Sequence, residues 1–185
     1  MSFDQLMIHY CAPTICNIKP GNIFFVKNEV FCENTFRQWE NLFLTHGLLS
    51  FAIRLSETST AVLVCNKSWV EGILNSPAVQ SYLIEKKCFS STLLDFVHNF
   101  SRKIESEKSF PHEIGIILGY PIDDVIEYEK NEGRNCKYSG CWKSYSNVEY
   151  TKSCQCRYKN CSRMCEKLFE NGYTVPQIID AYNAA

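Results

Sequence analysis

The sequence predicts an α+β fold in which a small antiparallel β-sheet is covered by helices and the C-terminal half is mainly helical. Of its 185 residues, 45% are hydrophobic and 14% are aromatic, which is sufficient for one domain with a continuous core. Two apolar runs, residues 48–55 and 60–65, are separated by four polar residues, a pattern that predicts a β-hairpin. Most of the chain after residue 111 has helical periodicity, so the sheet is expected to be small.

The N-terminal region combines an irregular arm with one strand and one helix. Residues 1–20 are predicted to be irregular because Pro13 and Pro20 interrupt them. Residues 22–26 are short and apolar, which favours a strand. Residues 33–46 repeat apolar side chains at helical spacing and therefore predict a helix.

The rest of the chain is predicted to be helical except for one extended segment rich in Cys and Tyr, residues 133–146. A tight turn at residues 119–121 separates two of the helices. The predicted helices are residues 68–74, 78–86, 91–107, 112–118, 122–128, 147–170 and 175–182.

Domain organisation and location follow from length and composition. We expect a single domain over residues 1–185, with lobes at 1–108 and 109–185. The formal net charge of −1 indicates no overall attraction to nucleic acid or to an anionic membrane. The longest apolar runs are too short to cross a bilayer, and residues 1–10 lack the pattern of a secretory signal. A cytoplasmic protein with no membrane partner is therefore expected.

Residues 112–128 have the outline of a DNA-binding helix-turn-helix, but their charge argues against that role. In such a motif the second helix enters the major groove between phosphates. Here that helix carries carboxylates that the DNA backbone would repel. We therefore expect no DNA binding and interpret the segment as a helical corner. These acidic residues are Asp123, Asp124, Glu127 and Glu129.

Residues 134–163 are locally basic and rich in aromatic side chains. The stretch contains seven Lys and Arg residues but only one acidic residue, Glu149, and five Tyr and Trp residues lie among them. Such a stretch is typical of a solvated helix face, and it could also bind RNA, an anionic cofactor or an acidic protein.

The eleven cysteines are the most unusual feature of the composition. Their count is odd and no export signal accompanies them, which favours reduced thiols over disulfides. Cys161 and Cys165 lie one turn apart on a predicted helix, and Cys136 and Cys141 on the preceding extended segment could fold back onto them. Four thiolates would suit zinc or an iron–sulfur cluster, although free thiols are the alternative.

A catalytic group could also be drawn from the N-terminal arm. Cys11 and Cys16 lie near Lys19, and a cysteine near a lysine can become nucleophilic, which makes Cys11 a candidate nucleophile. His112 and Glu113 could serve as an acid–base pair. The alternative is that Cys11 and Cys16 pack as small apolar residues and that Glu113 interacts with a helix dipole.

Several segments, in this order, resemble a known bacterial family. The matching segments are residues 11–14 with Lys19 and Pro20, residues 111–115, residues 118–121 with Asp124 and Val125, and Gly140 with Trp142, Lys143 and Tyr145. They resemble family 3793 of the domain-of-unknown-function series, which is common in anaerobic, clostridia-like bacteria. The resemblance spans nearly the whole chain.

The resemblance implies a small cytoplasmic protein without an assigned activity, and it suggests a link to flavodoxin-like or iron-related proteins. It carries over Gly119 as a structural turn residue, together with Cys11, His112 and Glu113 as catalytic candidates. Cys154 and Cys156 depart from the family pattern. The positions that the resemblance marks for cofactor binding are Thr14, Lys19, Tyr120, Trp142 and Lys143.

Three functions are therefore expected. The first is a binding or accessory protein in anaerobic redox or iron metabolism, with a pocket for a small anionic ligand between residues 1–20 and the His112 helix. The second is an enzyme that uses Cys11 as a nucleophile or His112 and Glu113 as an acid–base pair. The third is an interaction module that binds a flavodoxin-like acidic partner through its basic stretch.

Overall fold

The computed structural model describes residues 1–107 and 110–184 and has the predicted α+β architecture. In chain order the elements are α1 (Phe3–Ile15), β1 (Gly21–Lys27), α2 (Glu33–Leu44), β2 (Leu48–Arg54), β3 (Ser59–Asn66), α3 (Lys67–Leu74), α4 (Pro77–Glu85), α5 (Leu93–Glu107), α6 (Ile114–Ile117), α7 (Ile122–Lys130), β4 (Tyr138–Ser139), β5 (Lys143–Ser144), α8 (Val148–Glu170) and α9 (Val175–Asn183).

The chain divides into two compact units. Unit 1 comprises Met1–Asn66 and Cys156–Ala185, and unit 2 comprises Lys67–Gln155. The division falls after β3 and again within α8, so this long helix begins in unit 2 and ends in unit 1. The expectation of one domain with lobes at 1–108 and 109–185 stays a prediction.

Unit 1 is built on a three-stranded antiparallel sheet in the order β1-β3-β2. The predicted hairpin is confirmed, because β2 and β3 pair with Leu48 opposite Asn66. The other edge of β3 pairs with β1, with Gly21 opposite Cys65. The central strand is the most apolar one, and Val62 and Val64 are fully buried. Helices α1 and α2 pack against this sheet, which forms the core of the unit.

The N-terminal arm is helical, which corrects the prediction that residues 1–20 are irregular. Helix α1 begins with a capping box: Gln5 N–H donates to Ser2 Oγ at 3.2 Å, and Ser2 N–H donates to Gln5 Oε1 at 2.8 Å. Its buried residues recur at helical spacing from Met7 to Ile15. Pro13 lies in the last turn, where its missing N–H removes only one backbone bond. Burial of this apolar face outweighs that loss.

We expect Ser2→Ala to lower the free energy of unfolding by about 1 kcal/mol, since the capping bond to the helix amide is lost. Ser2→Asp is the matched control, because its carboxylate can cap the same amide. Chemical denaturation measures both variants. An unchanged midpoint for Ser2→Ala would show that the capping box contributes nothing to α1.

Unit 2 contains helices α3 to α7, the first part of α8, and the short hairpin of β4 and β5. Helices α6 and α7 meet at a tight turn in which Gly119 has a φ of +79°, the left-handed conformation expected for this glycine. The first helix of this corner is shorter than predicted, because His112 and Glu113 lie in a turn before Ile114. The segment predicted to be extended contains β4 and β5, which pair with Tyr138 opposite Ser144.

A single carboxylate joins α7 to the hairpin segment of unit 2. Asp124 is 2% exposed and accepts hydrogen bonds from Trp142 Nε1 at 2.7 Å, Tyr145 N–H at 2.9 Å, and Ser146 N–H and Oγ at 2.8 Å each. Burial acts to raise the pKa of Asp124, but these hydrogen bonds outweigh burial and lower it. The residue predicted to repel DNA is thus a buried structural anion.

Among the helices that the structure describes, none is both long and apolar enough to span a membrane.

Candidate metal centre

Helix α8 presents two buried thiols on one face in unit 1. Cys161 and Cys165 are four residues apart, which places their side chains one above the other on a helix. Both are buried, with exposures of 1% and 0%. These two residues were predicted as metal ligands, and the structure places them side by side in the core.

The third thiol comes from the end of α1. Cys16 is the C-cap residue of this helix, and its N–H donates to Ala12 O at 2.8 Å. The next residue, Asn17, has a left-handed φ of +56°, which turns the chain away and leaves Cys16 facing inward. The Sγ atoms of Cys16 and Cys165 are 3.5 Å apart. We call Cys16, Cys161 and Cys165 the thiol triad.

The dimensions of the thiol triad match those of a mononuclear metal site. Its three Sγ atoms all lie within 4.8 Å of one another. With a zinc–sulfur bond of about 2.3 Å, tetrahedral coordination places the sulfurs about 3.8 Å apart. One ion can therefore bond to all three sulfurs after shifts of an ångström or less.

The three thiols differ sharply in acidity. Hydrogen bonds with Cys16 and Cys165, and a further one with Tyr182, lower the pKa of Cys161 to about 4 against the effect of burial. The hydrogen bond with Cys16 lowers the pKa of Cys165, but the bond to Cys161, burial and the Cys161 charge together raise it to about 12. Hydrogen bonds with the other two thiols, together with burial, raise the pKa of Cys16. In this arrangement the Cys161 sulfur accepts hydrogen bonds from the Cys16 and Cys165 thiols.

Helix α9 adds an oxygen ligand candidate to the triad. Tyr182 is partly buried against the unit 1 core, and its phenol is hydrogen-bonded to Cys161. Burial is the main cause that raises the pKa of this phenol to about 12. Tyr182 is therefore a hydrogen-bond donor to the thiolate in the absence of a metal ion.

Polar contacts hold α1 and α8 together on both sides of the triad. Next to Cys165 along α8, Glu166 accepts a hydrogen bond from His9 of α1. One turn before Cys161, Arg157 donates to Ile18 O at 3.1 Å. These contacts, on opposite sides of the triad along α8, hold Cys16 in place relative to the other two thiols.

The other residues predicted in the N-terminal arm lie in unit 1 but make structural contacts. Thr14 is fully buried and donates to Asn22 Oδ1 at 2.7 Å, which joins α1 to β1. Lys19 is 6% exposed, and its Nζ lies 5.5 Å from the centre of the Tyr158 ring. Burial raises the pKa of the Cys11 thiol, although Lys19 opposes it. This environment disfavours Cys11 as a nucleophile, and its catalytic role stays a prediction.

The predicted acid–base pair lies in unit 2, where its members have different partners. The His112 ring packs edge-on to Tyr128 at 5.0 Å. Glu113 is 8% exposed, forms an ion pair with Lys103 and faces the Cys88 thiol at 3.9 Å. The structure thus supplies Glu113 with a thiol and an ammonium group that the sequence did not associate with it. Catalysis by His112 and Glu113 stays a prediction.

The remaining positions predicted to bind a cofactor, Tyr120, Trp142 and Lys143, lie in unit 2 and contact its other residues. Tyr120 stacks on Trp142 with ring centres 5.1 Å apart, and its hydroxyl donates to Cys141 O at 3.2 Å. Lys143 Nζ donates to Gly133 O at 2.6 Å and lies 5.8 Å from the centre of the Tyr128 ring. Tyr128 therefore contacts both Lys143 and His112.

The predicted four-thiol set is divided between the units. Cys136 and Cys141 are partly exposed cysteines of unit 2, whereas Cys161 and Cys165 belong to unit 1. A site formed by all four, like the predicted pocket between residues 1–20 and the His112 helix, would draw on both units and stays a prediction.

Sequence reasoning missed Cys16 and Tyr182 as members of the site. Cys16 is separated from Cys165 by 149 positions, and no sequence spacing links them. The only available signal was local: Ser2 with Gln5 forms a capping-box pattern that predicts a helix ending near Cys16. Tyr182 lay in a predicted helix, but nothing in that pattern indicated contact with a thiol.

Comparison with known proteins gives one match. A family model described as "Protein of unknown function (DUF3793)" matches residues 7–179, a range that contains the entire thiol triad. No curated protein and no solved structure matches the chain.

Proposed function

Because the chain belongs to the DUF3793 family of proteins of unknown function, we propose its role from its own geometry: it is a thiolate metal-binding protein that acts as an accessory protein in redox or iron metabolism. The observation that carries this proposal is the thiol triad, three buried sulfurs within 4.8 Å of one another. Soft thiolate ligands select zinc, iron and cuprous copper over magnesium or calcium.

The spacing of the sulfurs favours a single ion over an iron–sulfur cluster. In an iron–sulfur cluster three thiolates are divided among at least two irons, so at least one sulfur must stand further from the others than around one ion. Sulfurs 3.5 Å apart, as in Cys16 and Cys165, instead fit a shared ion. We therefore name zinc or ferrous iron as the metal.

The number of thiolates favours an exchangeable ion over a purely structural one. Structural zinc sites are closed by four protein ligands, whereas sites with three leave one position for another ligand. Around the triad the described groups offer a phenol, Tyr182, in place of a fourth thiolate. A metal held in this way can be delivered, sensed or used in chemistry, which is the reason for proposing an accessory role.

Titration with Co²⁺ tests the proposal, since cobalt occupies zinc sites and its absorption bands report the number of thiolate ligands. We expect the reduced apoprotein to bind one equivalent of Co²⁺ with thiolate-to-cobalt charge-transfer absorption, and Zn²⁺ to displace it. Cys16→Ser should weaken binding by at least about 100-fold, which is the upper end of the loss found for outer-shell changes.

Cys156→Ser is the matched control, because Cys156 is an exposed cysteine of the same helix, α8. It should bind Co²⁺ as the wild type does. Circular dichroism of both variants separates loss of the site from loss of the fold. A wild-type protein that binds no Co²⁺, or a folded Cys16→Ser variant with unchanged affinity, would refute the proposed function.

A further inference from the structure

We propose that unit 2 carries a second, separate site, a cationic cleft that binds a small phosphate-type dianion. The cleft has a volume of about 230 Å³, well above the 10–15 Å³ that one water molecule needs. It is lined by Lys87, Cys88, Asn99, Arg102, Lys103 and Ser106. A phosphate group fits this space with part of its hydration shell.

One wall of the cleft is a single face of α5. The cleft residues of α5 are adjacent or lie three or four positions apart, so their side chains project toward the same side of the helix. They are Asn99, Arg102, Lys103 and Ser106. The opposite wall is the chain segment that follows α4, with Lys87 and Cys88. Two independent segments of unit 2 therefore direct cationic side chains into one space.

The charge of the cleft matches a dianion. Lys103 is paired with Glu113, and their side chains are 25% and 10% exposed. Lys87 and Arg102 are both exposed cleft residues, and neither forms a salt bridge within residues 1–107 and 110–184. The two exposed cations of the cleft, Lys87 and Arg102, supply two positive charges, which match the charge of a dianion. Arginine offers a planar fork of donors to phosphate, and lysine adds a point charge.

The backbone at Lys87 supports a role for its side chain. Helix α4 ends in a Schellman motif, with Cys88 N–H donating to Leu83 O at 2.9 Å and Lys87 N–H donating to Ile84 O at 3.0 Å. Lys87 occupies the left-handed position of this motif with a φ of +55°, where glycine is the usual residue. The helix end thus tolerates backbone strain at a residue whose side chain lines the cleft.

The cleft shares lining residues with a second, much smaller cavity. Cys88, Asn99 and Lys103 also line a cavity of about 10 Å³ whose other walls include Phe96 and Phe100. That volume admits at most about one water molecule. Glu113 lines this small cavity but not the cleft, so Lys103 is the member of the ion pair that lines the cleft.

Titration with inorganic phosphate at low ionic strength, followed by calorimetry, tests the proposal. We expect saturable binding that weakens as salt is added. Lys87→Gly and Arg102→Ala should each weaken binding by about 10-fold or more, since each removes one charge from the cleft. Lys87→Gly should also raise the unfolding temperature, because glycine relieves the left-handed strain. Acetate, a monoanion, should bind more weakly than phosphate.

Lys67→Ala is the matched control, because Lys67 is an exposed lysine of unit 2 outside the cleft. Its phosphate affinity should equal that of the wild type. Bound phosphate should slow acetylation of Lys87 more than that of Lys67, measured by peptide mapping. Absence of saturable phosphate binding, or equal affinity in Lys87→Gly, Arg102→Ala and Lys67→Ala, would overturn the inference. The thiol triad lies in unit 1, so this outcome is independent of the metal titration.

Discussion

Replacing Cys161 with serine is expected to remove the thiolate of the apoprotein and to weaken metal binding at least about 100-fold. Cys161 is the member of the thiol triad whose pKa is lowered, to about 4, because it is hydrogen-bonded with Cys16, Cys165 and Tyr182. A serine hydroxyl stays protonated at neutral pH and is a poor ligand for a soft metal. This variant therefore removes the most acidic thiol of the triad.

The thiolate can be observed without any metal. Ultraviolet absorbance of the reduced apoprotein should show thiolate at neutral pH, with a titration well below the ordinary cysteine value of 9.0. The Cys161→Ser variant should lack this absorbance, and Cys156→Ser should retain it. If wild type and Cys161→Ser have the same thiolate absorbance at neutral pH, the assigned acidity of Cys161 is wrong.

The acidity of the triad also predicts how many protons are released when a metal binds. The pKa of Cys161 is lowered, whereas hydrogen bonding and burial raise the pKa values of Cys16 and Cys165. Binding to all three sulfurs should therefore release two protons. Calorimetry in buffers of different ionisation enthalpy measures this number. Release of three would mean that no thiolate exists in the apoprotein.

The same acidity makes the stability of the apoprotein depend on pH. The pKa of Cys161 is lower in the folded chain, about 4, than the ordinary value of 9.0, so the folded state binds fewer protons between these values. Its contribution to stability is complete above pH 9.0 and is lost as the pH falls toward 4. Cys16 and Cys165 have raised pKa values, so below 9.0 they are protonated in both states and do not oppose this trend.

The fold was predictable where it depends on local patterns. The β2–β3 hairpin follows from two apolar runs with a polar connection, and its position in the structure agrees with that pattern. The first helix was not predicted, because Pro13 and Pro20 favour an irregular segment and the capping box at Ser2 is only a short local signal. A proline in the last helical turn removes one hydrogen bond, which the burial of a whole apolar face exceeds.

The candidate site was half predictable for the same physical reason. Cys161 and Cys165 share a helix, so their proximity follows from helical geometry alone. Cys16 reaches them only through the packing of α1 against α8, and Tyr182 only through the packing of α9. Contacts of this kind depend on tertiary structure, and a single sequence contains no spacing that encodes them. The same holds for Lys87 and Arg102, which come from opposite walls of the cleft.

Asp124→Ala is expected to lower the free energy of unfolding by about 3–5 kcal/mol, the cost of leaving buried donors without a charged partner. Asp124 is 2% exposed and accepts four hydrogen bonds, from the Trp142 indole, the Tyr145 amide, and the amide and hydroxyl of Ser146. Alanine would leave the indole and two backbone amides unpaired. A loss of this size is a large fraction of the stability of an ordinary domain.

Asp124→Asn separates the shape of this side chain from its charge. The amide fills the same space but has one acceptor oxygen in place of two. Its NH₂ group would face a hydrogen-bond donor that donates to the carboxylate in the wild type. We expect a loss about half that of alanine, roughly 1.5–3 kcal/mol. Asp123→Asn is the matched control, because Asp123 is the exposed neighbour in the same turn of α7.

The pH dependence of these variants tests whether Asp124 acts as an anion. Its pKa is lowered in the folded chain, so its contribution is present above the ordinary value of 3.8 and is lost as the pH falls through the folded pKa. The stability gap between wild type and Asp124→Asn should therefore close in acid, measured by denaturant unfolding with tryptophan fluorescence. A gap that stays constant with pH would show that shape alone, and not charge, holds α7 to the hairpin segment. An Asp124→Ala variant within about 0.5 kcal/mol of wild type would exclude both explanations.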